Sequence, residues 1–225
     1  LLNNKGTALR MRGINTYNAA IKNTDAKARE EGKTSARKDF ADALEAFHRS
    51  YTLLKGAQPG AVPEASLKDQ TARALEGAHA TLKVNAQTEQ VDGSKMDMAK
   101  AMLEAFVATQ PDAAKQAEVK IVLADLFRVS GDSDNAILVY KEVLLTDQNN
   151  VDAMAGAGLS LVNSGYMNDN KAQLQEGADF LQRFSEVAPA NHKYLDDAKG
   201  LIETLKAEQN IAPVKNTKPA ARRKN

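Results

Sequence analysis

The chain has no cysteine, no tryptophan and only six prolines among its 225 residues. The lack of cysteine excludes disulfide bonds, thiolate zinc sites and cysteine nucleophiles. Aromatic residues make up 5% of the chain and apolar residues 43%. This balance favours helices packed through Ala, Leu, Val and Met over β-sheets, which prefer aromatic and β-branched residues. No run of 18 or more apolar residues occurs, so the sequence predicts no membrane-spanning helix.

Charge is present in both signs but is unevenly distributed along the chain. Residues 1–38 contain nine Lys or Arg and three acidic residues, whereas residues 39–209 contain 16 Lys or Arg and 26 Asp or Glu. The last 16 residues, 210–225, contain five basic residues and no acid: Lys215, Lys218, Arg222, Arg223 and Lys224. This basic tail has too little apolar surface to compensate for ordering, and we expect it to be disordered in isolation. It could solubilise the chain, or attach it to an acidic partner, anionic lipid or nucleic acid.

Apolar residues recur at helical spacing through most of the chain. This pattern predicts helices at 5–22, 39–55, 64–87, 96–109, 151–163, 171–187 and 192–209. The polar segment 23–36, interrupted by Gly32, is interpreted as a connection between the first two helices. Glycine is unfavourable inside helices, so Gly156 and Gly158 predict that a neighbouring helix approaches closely there. Residues 166–170 are interpreted as an inserted loop.

Residues 117–150 read AEVKIVLADLFRVSGDSDNAILVYKEVLLTDQNN and resemble one tetratricopeptide (TPR) repeat. The segment has 34 residues, which is the period of that family. Small and large residues stand where its helix–turn–helix requires them, at Leu123, Ala124 and Phe127, at the turn Gly131–Asp132, and at Ala136 and Tyr140. The resemblance implies an all-α, TPR-like α-hairpin solenoid over residues 1–209. Its helical pairs would span about 4–55, 64–110, 114–150 and 151–190, with a capping helix at 192–209.

Motifs for catalysis or metal binding are not found in the sequence. Of the three histidines, His48 and His79 have no second His or carboxylate at i+4 to form a metal pair, and we expect His192 to be exposed. Residues 168–170 hint at a calcium loop but do not complete its ligand pattern. No phosphate loop or nucleophile elbow occurs. We therefore predict a protein that is not an enzyme and that uses no cofactor or metal.

The resemblance also implies a binding surface, because the first helix of each TPR pair lines the concave face. The residues that match this face are Arg10, Ile14, Tyr17 and Asn18, then Glu118, Ile121, Asp125 and Arg128, and then Asp152, Leu159 and Asn163. Some members of the family hold a peptide's terminal carboxylate between Lys and Asn. The matching positions here hold Arg10, Ile14 and Asp125, so the Lys and Asn arrangement is absent.

These observations predict a non-enzymatic scaffold, or a subunit of a larger assembly, that binds a segment of another protein. The concave groove would receive the segment, and the basic tail would add a second attachment. The alternative is a nucleic-acid-associated helical repeat that uses Arg10, Arg12, Lys22, Lys27 and Arg29 together with the tail. A catalytic or sugar-binding role has no motif to support it.

The chain begins with Leu1 rather than Met, which indicates either that an upstream segment such as a signal peptide was removed or that the chain was trimmed. The expectation is a bacterial protein exported to the periplasm, with a cytoplasmic location as the alternative.

Overall fold

A computed structural model describes residues 1–214; the five cations of the basic tail, Lys215 to Lys224, lie outside the described residues. Within that range the chain is all-α and contains no strand. The helices are α1 (Leu2–Ala20), α2 (Ala26–Lys55), α3 (Glu64–Thr88), α4 (Met96–Val107), α5 (Ala113–Val129), α6 (Ser133–Thr146), α7 (Val151–Met167), α8 (Lys171–Val187) and α9 (Leu195–Gln209). Among these helices, none is both long and apolar enough to cross a bilayer.

The chain divides into two compact units, Leu1–Asp132 and Ser133–Asn225. The first unit contains α1 to α5, and the second contains α6 to α9. The segment 117–150 that resembles a TPR repeat therefore contributes α5 to one unit and α6 to the other. Its predicted inward residues are buried in both helices, including Leu123, Ala124 and Phe127 in α5 and Ala136 and Tyr140 in α6.

In the first unit, each of α1 to α4 packs against the helix that follows it. Helices two apart also touch, because α1 contacts α3, α2 contacts α4, and α3 contacts α5. The core is built on α2, where Phe40, Leu44 and Phe47 are almost completely buried. These residues recur every three or four positions and so form one stripe along the helix.

Glycines on α1 allow α2 to come close. A Cβ atom on Gly6 would lie 2.8 Å from the ring of Phe47, and one on Gly13 would lie 2.7 Å from the ring of Phe40. The two glycines and the two rings are each seven residues apart, which is two helical turns. The small residues of α1 thus receive the aromatic residues of α2 in register.

The interpretation of residues 23–36 as a connection is wrong. Helix α2 begins at Ala26 and continues through Gly32 to Lys55. Its start is capped by Asp25, whose side chain accepts a hydrogen bond of 2.7 Å from the backbone N–H of Ala28. A Cβ atom on Gly32 would lie 2.6 Å from Cβ of Ala20. Gly32 therefore permits close packing against α1 and does not interrupt the helix.

In the second unit, α6 packs against α7, α7 against α8, and α8 against α9. The predicted close approach at the glycines of α7 is confirmed. A Cβ atom on Gly156 would lie 2.1 Å from the ring of Tyr140 in α6, and one on Gly158 would lie 2.7 Å from Leu181 in α8. Helix α9 buries Ala198 and Ile202 along one face, and its opposite face is exposed.

The predicted insertion at 166–170 is partly wrong, because Tyr166 and Met167 belong to the last turn of α7. The connection is therefore short. It ends at Asn170, whose side chain accepts hydrogen bonds from the backbone N–H groups of Ala172 and Gln173 and so caps α8.

The first residues of the tail, up to Val214, contact the second unit. Asn210 adopts a left-handed conformation with φ of 54° and ends α9. The backbone N–H of Ile211 then donates to the carbonyl of Leu205 at 3.1 Å, and the Ile211 side chain is buried. An apolar anchor thus holds the chain directly after the helix.

The next residues are held by two side chains one turn apart on α8. Gln175 Nε2 donates to the carbonyl of Ala212 at 2.9 Å. Asp179 Oδ1 accepts from the backbone N–H of Val214 at 2.7 Å. We call residues 210–214 the C-terminal strap. It is held against α8 by these two hydrogen bonds.

Candidate functional site

An open groove of about 330 Å³ lies between α1 and α3 in the first unit. We call it the α1–α3 groove, and its lining residues are Asn3, Asn4, Thr7 and Arg10 of α1 and Arg73, Glu76, Gly77 and Ala80 of α3. The lining residues of each helix are adjacent or three to four positions apart, so each helix presents one face to the groove. Most of the lining side chains are polar or charged.

The two helices run in the same direction beside the groove. Near their N-terminal ends, Asn3 Nδ2 donates to the backbone carbonyl of Gln70 at 3.0 Å and to its side-chain oxygen at 3.2 Å. Further along, Gly6 and Gly77 both lie against the ring of Phe47. Residue numbers therefore increase together on α1 and α3, and the hydrogen bonds of Asn3 hold the two helices in register.

The groove stays open because of the small residues on α3. Phe47 of α2 reaches between the two helices, and a Cβ atom on Gly77 would lie 2.2 Å from its ring. The ring thus packs against the backbone of α3 at Gly77. One turn later Ala80 adds only a methyl group. Little side-chain volume from α3 therefore fills the space beside Arg10.

Two arginines give the groove a positive character. Arg10 is half-buried, its Nε atom is inaccessible to solvent, and no hydrogen bond or ion pair joins its guanidinium to another described residue. Arg73 donates through Nε to Asp69 at 2.9 Å, but both side chains of this pair are largely exposed. Such exposed pairs contribute little, at most about 1 kcal/mol. Glu76 is the one acid in the lining and forms no ion pair with a described residue.

The residues predicted on α1 follow the face that lines the groove. Arg10 lies in the groove itself. Ile14 and Tyr17 follow it at i+4 and i+7, so they project from the same side of α1, and both are half-buried. Asn18 is exposed. The structure thus brings a cation and two partly accessible apolar side chains together on one helix face.

The residues predicted on α5 lie elsewhere in the first unit. Glu118 is exposed, whereas Ile121 is half-buried. Asp125 and Arg128 are half-buried and form an ion pair, with 3.9 Å between Oδ1 and Nε. This pairing leaves the α5 face less strongly charged than its sequence suggests.

Glu118 lies close enough to α3 to influence His79. Burial lowers the pKa of His79 from its ordinary value of 6.5, Lys83 lowers it further, and Glu118 opposes both effects. The imidazole also stacks on Phe106 of α4, with 4.8 Å between ring centroids. His79 is therefore a packed side chain whose neutral form is favoured.

The residues predicted on α7 contact their own unit. Asn163 Nδ2 donates to Ser133 Oγ at 2.9 Å, and Leu159 is half-buried. Asp152 Oδ1 lies 3.1 Å from Nε2 of His192. The α7 residues therefore interact within the second unit.

The expectation that His192 is exposed is wrong, since its side chain is only 13% accessible. The ring packs edge-on against Phe184, with 4.8 Å between centroids. Its Nδ1 lies 3.3 Å from the backbone N–H of Tyr194, which donates to it. His192 thus connects the start of α7 to the segment before α9.

Arg73 and Glu76 were not among the predicted site residues, because no concave-face position was predicted on α3. The spacing of Arg73, Glu76 and Ala80 on one side of that helix is a usable signal once its buried side, with Ala74 and Ala78, is known. Among residues 1–214, no group of three or more His, Asp or Glu is placed to hold a metal ion.

No protein-family model matches the chain, and comparisons with curated proteins and with solved structures find no similar protein.

Proposed function

We propose that this protein is a non-enzymatic scaffold of the TPR type, and that the α1–α3 groove binds a segment of a partner protein. One observation carries the proposal: α1 and α3, the first helices of two predicted pairs, run side by side and leave an open groove whose lining includes Arg10. Arg10 is one of the residues that the TPR resemblance assigns to the binding face.

The order of helix contacts supports a repeat architecture in the first unit. Each helix touches its successor, and helices two apart touch as well. Stacked α-hairpins produce this pattern, because each pair lies against the next and first helices become neighbours. We propose the same stacking within α6 to α9, with α9 as the polar cap.

The basic tail is proposed as a second attachment for the partner. Ala212 and Val214 of the C-terminal strap are hydrogen-bonded to side chains of α8, and the cations of the tail follow them directly in the sequence. A linked second contact raises overall affinity through effective concentration, without any change in the groove.

Nucleic-acid binding by the N-terminal cations has less support. Arg12 is paired with Asp39, Arg29 donates to the backbone carbonyl of Asn23, and Lys27 faces Glu31 at 3.9 Å. Cations engaged in this way are less available for phosphate contacts, which supply most of the affinity for nucleic acid.

Site-specific photo-crosslinking tests the proposed groove. A benzophenone amino acid at Thr7, inside the groove, is compared with the same group at Leu53, an exposed residue of α2. Illumination in native lysate of the source cells is expected to give a distinct protein adduct from Thr7 that Leu53 does not give. No adduct from Thr7, or the same adducts from both positions, would argue against the groove as a binding site.

The tail is tested in the same assay by a chain that ends at Val214. Because this chain keeps the C-terminal strap, its fold is expected to be unchanged. The yield of the Thr7 adduct should be lower than with the full chain, and it should fall more steeply as the partner is diluted. If the truncated chain gives the same adduct yield as the full chain at every partner concentration, the tail is not a second attachment.

A further inference from the structure

We infer that the α1–α3 groove recognises an extended acidic segment of a partner. Two side-chain carboxylates of that segment would be bound, one by Arg10 and one by Arg73. The inference rests on the proposed function and specifies the chemistry of the partner. Guanidinium groups bind carboxylates through paired hydrogen bonds, which makes this the natural complement of the two arginines.

The spacing of the arginines favours two carboxylates over one. Asn3 is level with Gln70, and Gly6 is level with Gly77, so Arg10 lies about four to eight residues further along the groove than Arg73. At 1.5 Å per residue this is roughly 6–12 Å along the helix axes. In an extended chain, side chains two positions apart point the same way and are separated by roughly 7 Å. Two acidic residues in an acidic–x–acidic pattern therefore match the groove.

The remaining lining residues are consistent with an extended backbone. The amide of Asn4 is exposed and forms no hydrogen bond with a described residue, so it can bind a peptide carbonyl. Beyond Arg10, Ile14 and Tyr17 offer apolar contact along the same face of α1. The predicted ligand thus has two acidic residues followed by an apolar one.

A substitution at Glu76 tests the charge of the ligand, because it is expected to strengthen binding of an acidic one. Glu76 lies on α3 three residues after Arg73, which places it between the two arginines along the groove. Its carboxylate repels an acidic ligand, so Glu76→Gln is expected to strengthen binding by about two- to fivefold. A basic or neutral ligand would bind this variant equally or more weakly.

The test measures fluorescence anisotropy of short labelled peptides on the full chain. The first probe carries two glutamates two positions apart, an apolar residue and an amidated C-terminus. The second replaces both glutamates by glutamine and has a free terminal carboxylate. The wild-type chain is expected to bind the first probe saturably and in a salt-dependent manner, and the second at least tenfold more weakly.

Charge-neutral variants then locate the contact. Arg10→Gln and Arg73→Gln are each expected to weaken binding of the first probe about three- to tenfold, the range for a partly exposed charge-assisted contact. The matched control is Arg49→Gln, an exposed arginine of α2 outside the groove, which should change binding less than twofold. Circular dichroism checks that each variant keeps its helices.

Three results would overturn the inference: equal effects of all three arginine variants, tighter binding of the probe with the terminal carboxylate, or displacement of the acidic probe by an equal concentration of single-stranded oligonucleotide. Each can occur while Thr7 still gives a partner adduct. In that case the groove binds a partner of different chemistry, and the proposed function survives. If Thr7 gives no adduct, the proposed function itself fails.

Discussion

Tyr140 lies directly against Gly156, so that a Cβ atom added to Gly156 would be 2.1 Å from Cζ of the ring. Tyr140 is completely buried, and its ring cannot move into solvent. We therefore expect Gly156→Ala to lower the free energy of unfolding by about 1–3 kcal/mol, although alanine is the better helix former. Urea unfolding followed by circular dichroism measures the change.

Gly200 of α9 is the matched control for this substitution. No atom lies within 4 Å of the position that its Cβ would occupy. Gly200→Ala is expected to raise the free energy of unfolding by up to about 1 kcal/mol, because only the helix propensity changes. Similar effects at both glycines would show that Tyr140 does not pack as described.

In the ion pair of Arg12 and Asp39, the aspartate is buried and the arginine is largely exposed. Arg12 donates through Nε at 2.8 Å and through Nη2 at 2.5 Å, and the side chains are 63% and 7% exposed respectively. Arg12→Gln leaves a buried carboxylate without its cation, and we expect it to lower the free energy of unfolding. Asp39→Asn leaves an arginine that water can solvate, and we expect a smaller loss.

The neighbouring pair of Lys38 and Asp42 provides the comparison, since Nζ and Oδ2 are 2.6 Å apart but the lysine side chain is 73% exposed. Lys38→Gln is expected to lower the free energy of unfolding less than Arg12→Gln does. If Lys38→Gln and Arg12→Gln destabilise the protein equally, the burial of Asp39 does not determine the strength of its ion pair.

Most helix boundaries could be predicted from the sequence because they are local. Pro63 precedes α3, and Asp112 and Asn150 accept hydrogen bonds from the starts of α5 and α7. Such stop and start signals act within a few residues. The segment before Ala36 was misread because the role of Gly32 depends on Ala20, a residue on another helix. Composition alone does not distinguish a glycine that ends a helix from one that accommodates a neighbour.

The candidate site was only partly accessible to sequence analysis for the same reason. Arg10 was predicted from the resemblance to a TPR repeat, and that comparison uses only the residues of a single helix. The α1–α3 groove depends on Phe47 of a third helix, which contacts both Gly6 and Gly77 and so brings the two walls into register. That arrangement cannot be derived from the spacing of residues within either wall.

His79 is expected to make stability depend on pH. Burial holds the pKa of His79 below its ordinary value of 6.5, so the unfolded chain takes up a proton more readily than the folded one. The stabilisation from neutral His79 is complete above pH 6.5 and is lost as the pH falls towards the folded-state pKa. His79→Gln should flatten the rise of unfolding free energy between these pH values, as measured by urea unfolding at a series of pH values.

Glu118 affects the pKa of His79 in the opposite direction to burial, and a variant of Glu118 therefore gives a second test. Glu118 raises the pKa of His79, so Glu118→Gln should lower that pKa further and extend the pH-dependent range to more acidic values. The pKa of His79 can be followed directly by NMR titration of its ring protons. An upward shift in Glu118→Gln would contradict the electrostatic relationship described here.

The C-terminal strap is expected to stabilise the second unit, whereas the residues after it are not. Ile211 is buried against the end of α9, and Asp179 accepts from the backbone of Val214 at 2.7 Å. A chain ending at Val214 should unfold at the same urea concentration as the full chain. A chain ending at Gln209 loses the apolar burial of Ile211, which is worth about 1.5–3 kcal/mol, and it also loses the hydrogen bond from Val214 to Asp179. Equal stability of the two truncated chains would show that Ile211 does not anchor the strap.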